Sequence, residues 1–513
     1  MISKNAAKLV RAPAILGLLA ATCLTVSAAA AGAQQNCVNI AGTDDIKETQ
    51  TMDPAFLWGE DDALHIWSVY EPLVHLDENF EAQPRLATSW DSNEDATIWT
   101  FHLREGVKFH DGSDFTARDA RYSIMRLIDP AVASPAAPAL SFLQGGEITA
   151  VDDHTLRIRT TKPVAEMPVM MATKFGLMVK DGTPSDVLAK TANGTGAFMA
   201  PDYKRAGEVR MLVRNPNYWD KSLPKSDCLR ITTKPDPLAM TAALMSGEVD
   251  YAPNINASTA RSLTGAENLQ FLTSKQGSFL AMAMWTDTPP FDDVRVRKAL
   301  KLVADRQAIV NAALLGFGFP ENDHNVPTSF PSSMSDTAVQ QDIEKARALL
   351  LEAGYDNTLE VDLFVSEIKP GLTQMATLYA QMAAQAGVTI NLVTMPASSY
   401  WDEVWNKRPF YVTSWGLRST ADGLAVAHRS TAAWNETRWH RPDYDALLDK
   451  AAATVDQKQR YEVYRAAQRL LEEEGGTIIP VLASDIPVLN KKCDGAKLYN
   501  IQQPDFRTLE CKR

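Results

Sequence analysis

The chain has 513 residues, of which 45% are hydrophobic, 22% charged and 8% aromatic, with 26 glycines and 28 prolines. These globular proportions exclude collagen-like and disordered classes, and at roughly 100 to 200 residues per domain the length predicts two to four domains. With a formal net charge of −12, phosphate backbones and anionic lipid are repelled, so nucleic-acid binding is not expected.

The first predicted element is a leader. Lys4, Lys8 and Arg11 are the only charges before Asp44, and the apolar core from Ala14 to Val26 is too short to span a bilayer. It runs into Ala31-Gly32-Ala33, the small-x-small pattern that signal peptidase needs. Residues 1–33 are therefore expected to be a cleaved secretory signal, with Gln34 first in the mature chain. Cys23 follows Thr22, a poor context for a lipid-anchor cysteine. Cleavage takes Lys and Arg from 51 to 48 against 63 Asp and Glu, a net −15. No other run of about 18 apolar residues occurs, so the mature chain is expected to be soluble and exported.

Cys37, Cys228, Cys493 and Cys511 remain. In an oxidising compartment they can form two disulfides, with three connectivities open. They lack CxxC spacing, and the eight histidines contain no HxH, HxxxH or HExxH, so neither structural zinc nor a helical metalloprotease motif is supported. No cofactor is expected.

Along the chain, Thr97 to Leu103 alternates with Trp99, Phe101 and Leu103 on one side, predicting a half-buried strand. His110-Asp111-Gly112 reads as a turn, and Thr116 as the N-cap of a helix that stops at Asp129-Pro130. Ile148 to Val151 and Leu156 to Ile158 flank a turn at 152–154, a second hairpin. Further on, Val294 to Leu315 reads as one long amphipathic helix, and Asp342 caps another that closes at Gly354. Leu359 to Val365, Leu372 to Ala386 and Val388 to Val393 form a βαβ unit, for which a parallel, right-handed crossover is expected. The first half thus reads as α+β and the second as α/β.

Eight blocks then read together: Tyr70-Glu71-Pro72-Leu73-Val74; Pro84 to Trp90; Trp99 to Gly112; Thr116 to Asp119; Gly194-Thr195-Gly196; Arg214 to Trp219; Arg295 to Leu300; and Ala346 to Tyr355. In this order they resemble the extracellular solute-binding proteins of the dipeptide/oligopeptide/nickel ABC-importer family, over essentially the whole mature chain. The resemblance implies an α/β, two-lobed periplasmic-binding-protein-like fold with an extra subdomain, in which a ligand sits between the lobes. Residues 34–80, 200–280 and 485–513 would form lobe I, 81–199 the extra subdomain of lobe I, and 281–484 lobe II, with hinges near 276–284 and 479–488. It also implies pairings Cys37–Cys228 and Cys493–Cys511, periplasmic location, and work as a monomer with a membrane permease and its ATPases.

Most of the blocks read as scaffold. His110 has no nucleophile beside it, Gly194-Thr195-Gly196 is followed by no GxxxxGK[ST], and Gly316-Phe317-Gly318 meets Glu321 where a third glycine is needed. The ligand is expected at Ser414 to Gly423. Where peptide binders of this family place an aspartate three residues after the tryptophan of this segment, this chain has Arg418, whose guanidinium attracts carboxylate and repels ammonium. In the loop from Val365 to Gly371, where dipeptide binders place an arginine, Glu367 stands with Lys369 nearby. The cleft polarity is thus expected to be inverted: Arg418 holds a carboxylate while Glu367 or Asp422 meets an amine or hydroxyls. The plainer reading is that Arg418 pairs with Glu367 or Asp422 and touches no ligand. Trp415, Trp434 and Trp285 offer stacking faces, Asn435 an amide that donates and accepts, and Trp58 and Glu60 weaker contacts. His428 alone gives little support for a metal chelate.

The expected function is capture of a small anionic or zwitterionic organic solute, such as a short or modified peptide, an amino-acid conjugate or an opine-like compound, without covalent chemistry. The rivals are a secreted hydrolase, for which neither GxSxG nor a serine–histidine pairing is present, and a nickel-chelate or sugar binder on the same fold.

Overall fold

The computed structural model describes residues 36–43, 51–57, 59–201, 209–272, 274–497 and 503–512. The expected signal segment, Cys23, Trp58 and the Glu60 side chain lie outside this description.

Two large sheets organise the chain. The first has seven strands in the spatial order Leu269–Phe271, Val488–Asn490, Tyr251–Ala252, Cys37–Gly42, Cys228–Thr233, Arg210–Arg214 and Phe198–Met199. Its centre is parallel, Cys37 lying beside Cys228 and Ile40 beside both Ile231 and Tyr251. Val38 and Ile40 are fully buried on this central strand, which is why it reads as a nearly continuous apolar run. Disulfides join Cys37 to Cys228 across this pair and Cys493 to Cys511 across a short antiparallel pair.

The second sheet has six strands in the order Gly318–Pro320, Thr477–Ser484, Gly277–Met284, Phe410–Gly416, Leu359–Val365 and Val388–Thr394. Leu359–Val365 and Val388–Thr394 run parallel in unbroken register through the helix Leu372–Gln385, the expected βαβ unit. The chain passes between the sheets at 271–277 and 484–488, and these passages are bonded to one another: Leu272 N–H donates to Pro487 O (3.0 Å) and Asp485 N–H to Gln276 O (2.8 Å).

A four-stranded antiparallel sheet, Ala87–Ser92, Ile98–Leu103, Thr155–Arg159 and Glu147–Asp152, holds the predicted strand and the predicted hairpin around 152–154, with Trp99, Phe101 and Leu103 buried on one side. Its helix Ala117–Ile128 begins where Asp119 accepts from the amide and hydroxyl of Thr116 (2.7 and 2.9 Å). The apolar core of this region continues into the helices Pro442–Ala452 and Gln457–Glu474. Phe80 lies against Phe330 (5.6 Å between centroids), Tyr461 donates to Glu81 (2.9 Å), Tyr464 donates to Glu166 (2.7 Å), and Ala165 N–H donates to Ala452 O (2.8 Å).

One expected element is corrected. Val294 to Leu315 is two helices, Val294–Leu302 and Arg306–Ala313, because Asp305 accepts from Ala308 N–H (2.9 Å) and opens a new N-terminus inside the apolar pattern. Among the described residues no helix is long and apolar enough to cross a membrane.

Five of the sequence blocks converge on Glu71. Its buried carboxylate accepts from Tyr218 (2.6 Å), Trp219 Nε1 (3.1 Å) and Thr195 (3.2 Å), with Arg85 at 3.6 Å. His110 reaches the same loop, its ring nitrogens 3.1 and 3.0 Å from Ala192 O and Gly196 O. A Cβ at Gly194 would stand 2.1 Å from Val69 O, so this glycine is required for backbone packing.

Candidate functional site

The strand Phe410–Gly416 ends beside both passages between the sheets, with Gly416 opposite Ser278 and Gly277 opposite Ser484. Strand geometry sends alternate side chains to opposite faces. Phe410 and Val412 enter the core of the six-stranded sheet. Tyr411, Thr413 and Trp415 face the other way, toward Glu436. Trp415 is 7% exposed and lies 6.0 Å, centroid to centroid, from Trp434, which is 47% exposed. The two indoles form an aromatic wall with one ring presented outward.

Glu436 is the residue that sequence reasoning missed. Its side chain is fully buried and accepts from Trp415 Nε1 (2.8 Å), Trp405 Nε1 (3.1 Å) and Thr413 Oγ1 (3.1 Å). Burial raises its pKa to about 7 against the lowering effect of these three donors. The available signal was an acid between tryptophans in Trp434-Asn435-Glu436-Thr437-Arg438-Trp439.

The turn that carries Glu436 also gathers the other candidates. Asn435 is buried; its amide donates to Trp439 O (2.8 Å) and accepts from Trp439 N–H (3.2 Å), so it shapes the turn. Arg438 places its guanidinium carbon 3.2 Å from the Trp285 ring centroid, with Asp287 at 3.7 Å. Trp285 thus joins the turn through a cation–π contact. Its Nε1 is buried and meets no acceptor among the described residues.

Arg418 stands just beyond the strand, 5.8 Å from the Trp415 ring, and donates from Nη1 to Asp422 (2.7 Å) in the first turn of the helix Thr420–Val426. Both side chains are partly exposed, at 36% and 47%. The Arg418 Nε is buried and has no acceptor among the described residues. Glu367 is placed elsewhere in role: its two oxygens accept from Gly371 N–H (2.8 Å) and Thr373 N–H (2.9 Å), satisfying the open amides at the start of Leu372–Gln385. The structure therefore brings Trp415, Trp434, Arg418 and Asp422 together, attaches Trp285 and Asn435 through the turn, and leaves Glu367 as a helix cap.

His428 is buried with Nε2 2.5 Å from Asn325 Oδ1, and burial lowers its pKa to about 3. The one cluster of three metal-capable side chains among the described residues, Asp250 with Cys493 and Cys511, contains a disulfide, so its sulfurs are not thiolate ligands. A cavity of about 20 Å³, room for a single water, lies far in sequence from these candidates, against Glu71, Arg85, Phe198 and Asp505.

Residues 81–436 match the profile of the bacterial extracellular solute-binding proteins, family 5 Middle. The chain belongs to this family. It is 29% identical over 440 residues to Heme-binding protein A of Haemophilus influenzae, covering 79% of this chain and 80% of that protein. It is 26% identical over 451 residues to the Dipeptide-binding protein of Escherichia coli, covering 81% and 83%. HbpA2 from Haemophilus parasuis superposes with a TM-score of 0.81 at 23% identity, over 93% of this chain and 100% of that one. The fold of this solute-binding protein is thus the two-lobed α/β fold of the family, and its relatives are binding proteins that serve ABC importers.

Proposed function

We propose that this family 5 binding protein acts in the periplasm, after cleavage behind Ala33, and delivers a small anionic or zwitterionic organic solute to an ABC permease and its ATPases. The seven-stranded sheet belongs to lobe I and the six-stranded sheet to lobe II, with the two bonded passages as the hinge. The solute lies against Trp434 and Trp415 and sets a carboxylate on Arg418, while Asp422 meets an amine or hydroxyl.

The observation that carries this reading is the Arg418 fork. One nitrogen is engaged by an exposed aspartate, a contact of the kind that contributes about 0–1 kcal/mol; Nε faces the protein without an acceptor. A bidentate carboxylate offers Arg418 more than Asp422 does. Glu367 is assigned to the helix start, where each of its oxygens accepts from a backbone amide. Closure on the solute follows from differential affinity for the closed state, which is what the permease would sense.

The test is a thermal-shift screen with dipeptides, opines, sugars, heme and nickel chelates. A ligand at a hundredfold excess over its Kd adds about 2.7 kcal/mol of stability. Arg418→Ala is expected to remove the shift for a carboxylate-bearing hit. An unchanged shift overturns the carboxylate assignment.

A further inference from the structure

We propose that Glu436 is the positioning residue of the aromatic wall, fixing the Trp405 and Trp415 indoles and, through its turn, the outward face of Trp434 before any ligand arrives. The proposal rests on the reading of Trp415 and Trp434 as a ligand-facing wall, and goes beyond it by assigning what holds that wall in place.

Packing alone confines an indole but leaves it free to tip; a directional N–H···O bond removes that freedom. Here one carboxylate takes the N–H of two indoles and the hydroxyl of Thr413, all within 3.1 Å. Trp434 precedes Glu436 by two residues and touches Trp415, so chain, hydrogen bond and ring contact close a small loop. The turn is anchored again on its far side, where Thr286 N–H donates to Thr437 O (2.8 Å) and Arg438 covers Trp285. Tyr411 donates to the backbone oxygen of Glu436 itself (3.0 Å). An apolar side chain at 436 would strand two buried donors, Trp415 Nε1 and Thr413 Oγ1, together with the part-buried Trp405 Nε1.

The titratable and charged groups facing Glu436 are few. Tyr411 comes from the strand and Tyr400 from the helix Tyr400–Glu403, and Arg438, in the turn, acts on Tyr411. Burial raises both tyrosines above their ordinary value, so neither changes charge near neutrality. Neither tyrosine can therefore supply a midpoint near 7, whereas the Glu436 carboxylate, raised by burial to about 7, can. When the carboxylate is protonated, one of its oxygens becomes a donor, and the donors that face it lose an acceptor site.

The decisive measurement needs no ligand. In the 15N-labelled mature chain, the indole N–H resonances of Trp405, Trp415 and Trp434, assigned with W405F, W415F and W434F, are followed from pH 5.5 to 8.5. The expected result is a shared midpoint near 7 for Trp405 and Trp415, with Trp434 moving at the same midpoint. In E436Q, which keeps size and shape, that titration disappears and the Trp415 resonance moves. Separate midpoints, or resonances that stay in place in E436Q, overturn the proposal. The wild-type titration stands even if a variant folds poorly. Failure here leaves the Arg418→Ala ligand test untouched, so the two readings fall separately.

Discussion

Glu367 and Glu436 show how one residue type acquires opposite fates. Glu367 was expected, as one of two candidates with Asp422, to meet a ligand amine or hydroxyl or to pair with Arg418; its oxygens accept from the amides of Gly371 and Thr373 at the start of the helix Leu372–Gln385. A cap supplied from five positions upstream, across a proline and a glycine, is invisible to local N-cap rules. Glu367→Ala is therefore expected to cost about 1 kcal/mol of stability and leave ligand affinity unchanged. Thermal denaturation and the ligand shift, measured on one sample, separate the two; lost affinity would contradict the cap. Trp415 and Arg418 were legible because each stands at a position where the family resemblance has a marked pattern. Glu436 was not, since an acid between Asn435 and Thr437 reads as a surface turn until the strand Phe410–Gly416 is seen to bring Thr413 and Trp415 onto its carboxylate, with Trp405 from the segment before it.

At the scale of elements, strongly periodic segments could be read and short paired ones could not. The alternation at Trp99, Phe101 and Leu103 and the βαβ run from Leu359 to Thr394 reflect burial periods of two and 3.6 that the residues themselves carry. The two-residue strands Phe198–Met199 and Tyr251–Ala252 exist only because a neighbouring strand pairs with them. The break at Asp305 lay between these cases: the apolar spacing continued across it, but the cap won. Asp305→Ala is expected to lower stability by about 1 kcal/mol, read as a shift in denaturant midpoint with unchanged slope. Replacing Cys493 and Cys511 by serine removes a closure over a separation of 18 residues, which predicts a loss of about 3 kcal/mol. Its signature would be faster amide exchange in Glu510–Cys511, with slow exchange retained in Cys37–Gly42.

For the molecule as a whole, buried titratable groups set a pH optimum. Burial lowers the pKa of His65, His75 and His428 to about 3 and that of His324 to about 4. The unfolded chain takes up these protons below 6.5 while the fold does not, so stability falls with pH in that window. Burial also raises the pKa of Glu321 to about 8, Glu436 to about 7 and Asp485 to about 6. There the fold holds the extra proton, and stability falls as pH rises toward those values. Histidines outnumber carboxyls below 6.5; above it Glu321 and Glu436 still change, and near pH 8 Lys301, lowered by burial to about 8, begins to offset them. Denaturant midpoints between pH 4.5 and 8 should therefore peak near 6.5, each unbalanced proton giving a slope of about 1.4 kcal/mol per pH unit. A midpoint still climbing between pH 6.5 and 7.5 would contradict these assignments.

The bond between Leu272 and Pro487 has a genetic corollary. Because the backbone departs and returns at neighbouring points, the span between them is a single parenthesis in the reading frame, and all four disulfide cysteines lie outside it. A cassette exchanged at that junction would replace the tryptophan wall and Arg418 in one step while keeping the cross-linked frame. The incoming half would need to bring its own counterparts of Phe330, Tyr461 and Tyr464, or the apolar surface around Phe80 and Glu166 would be left uncovered.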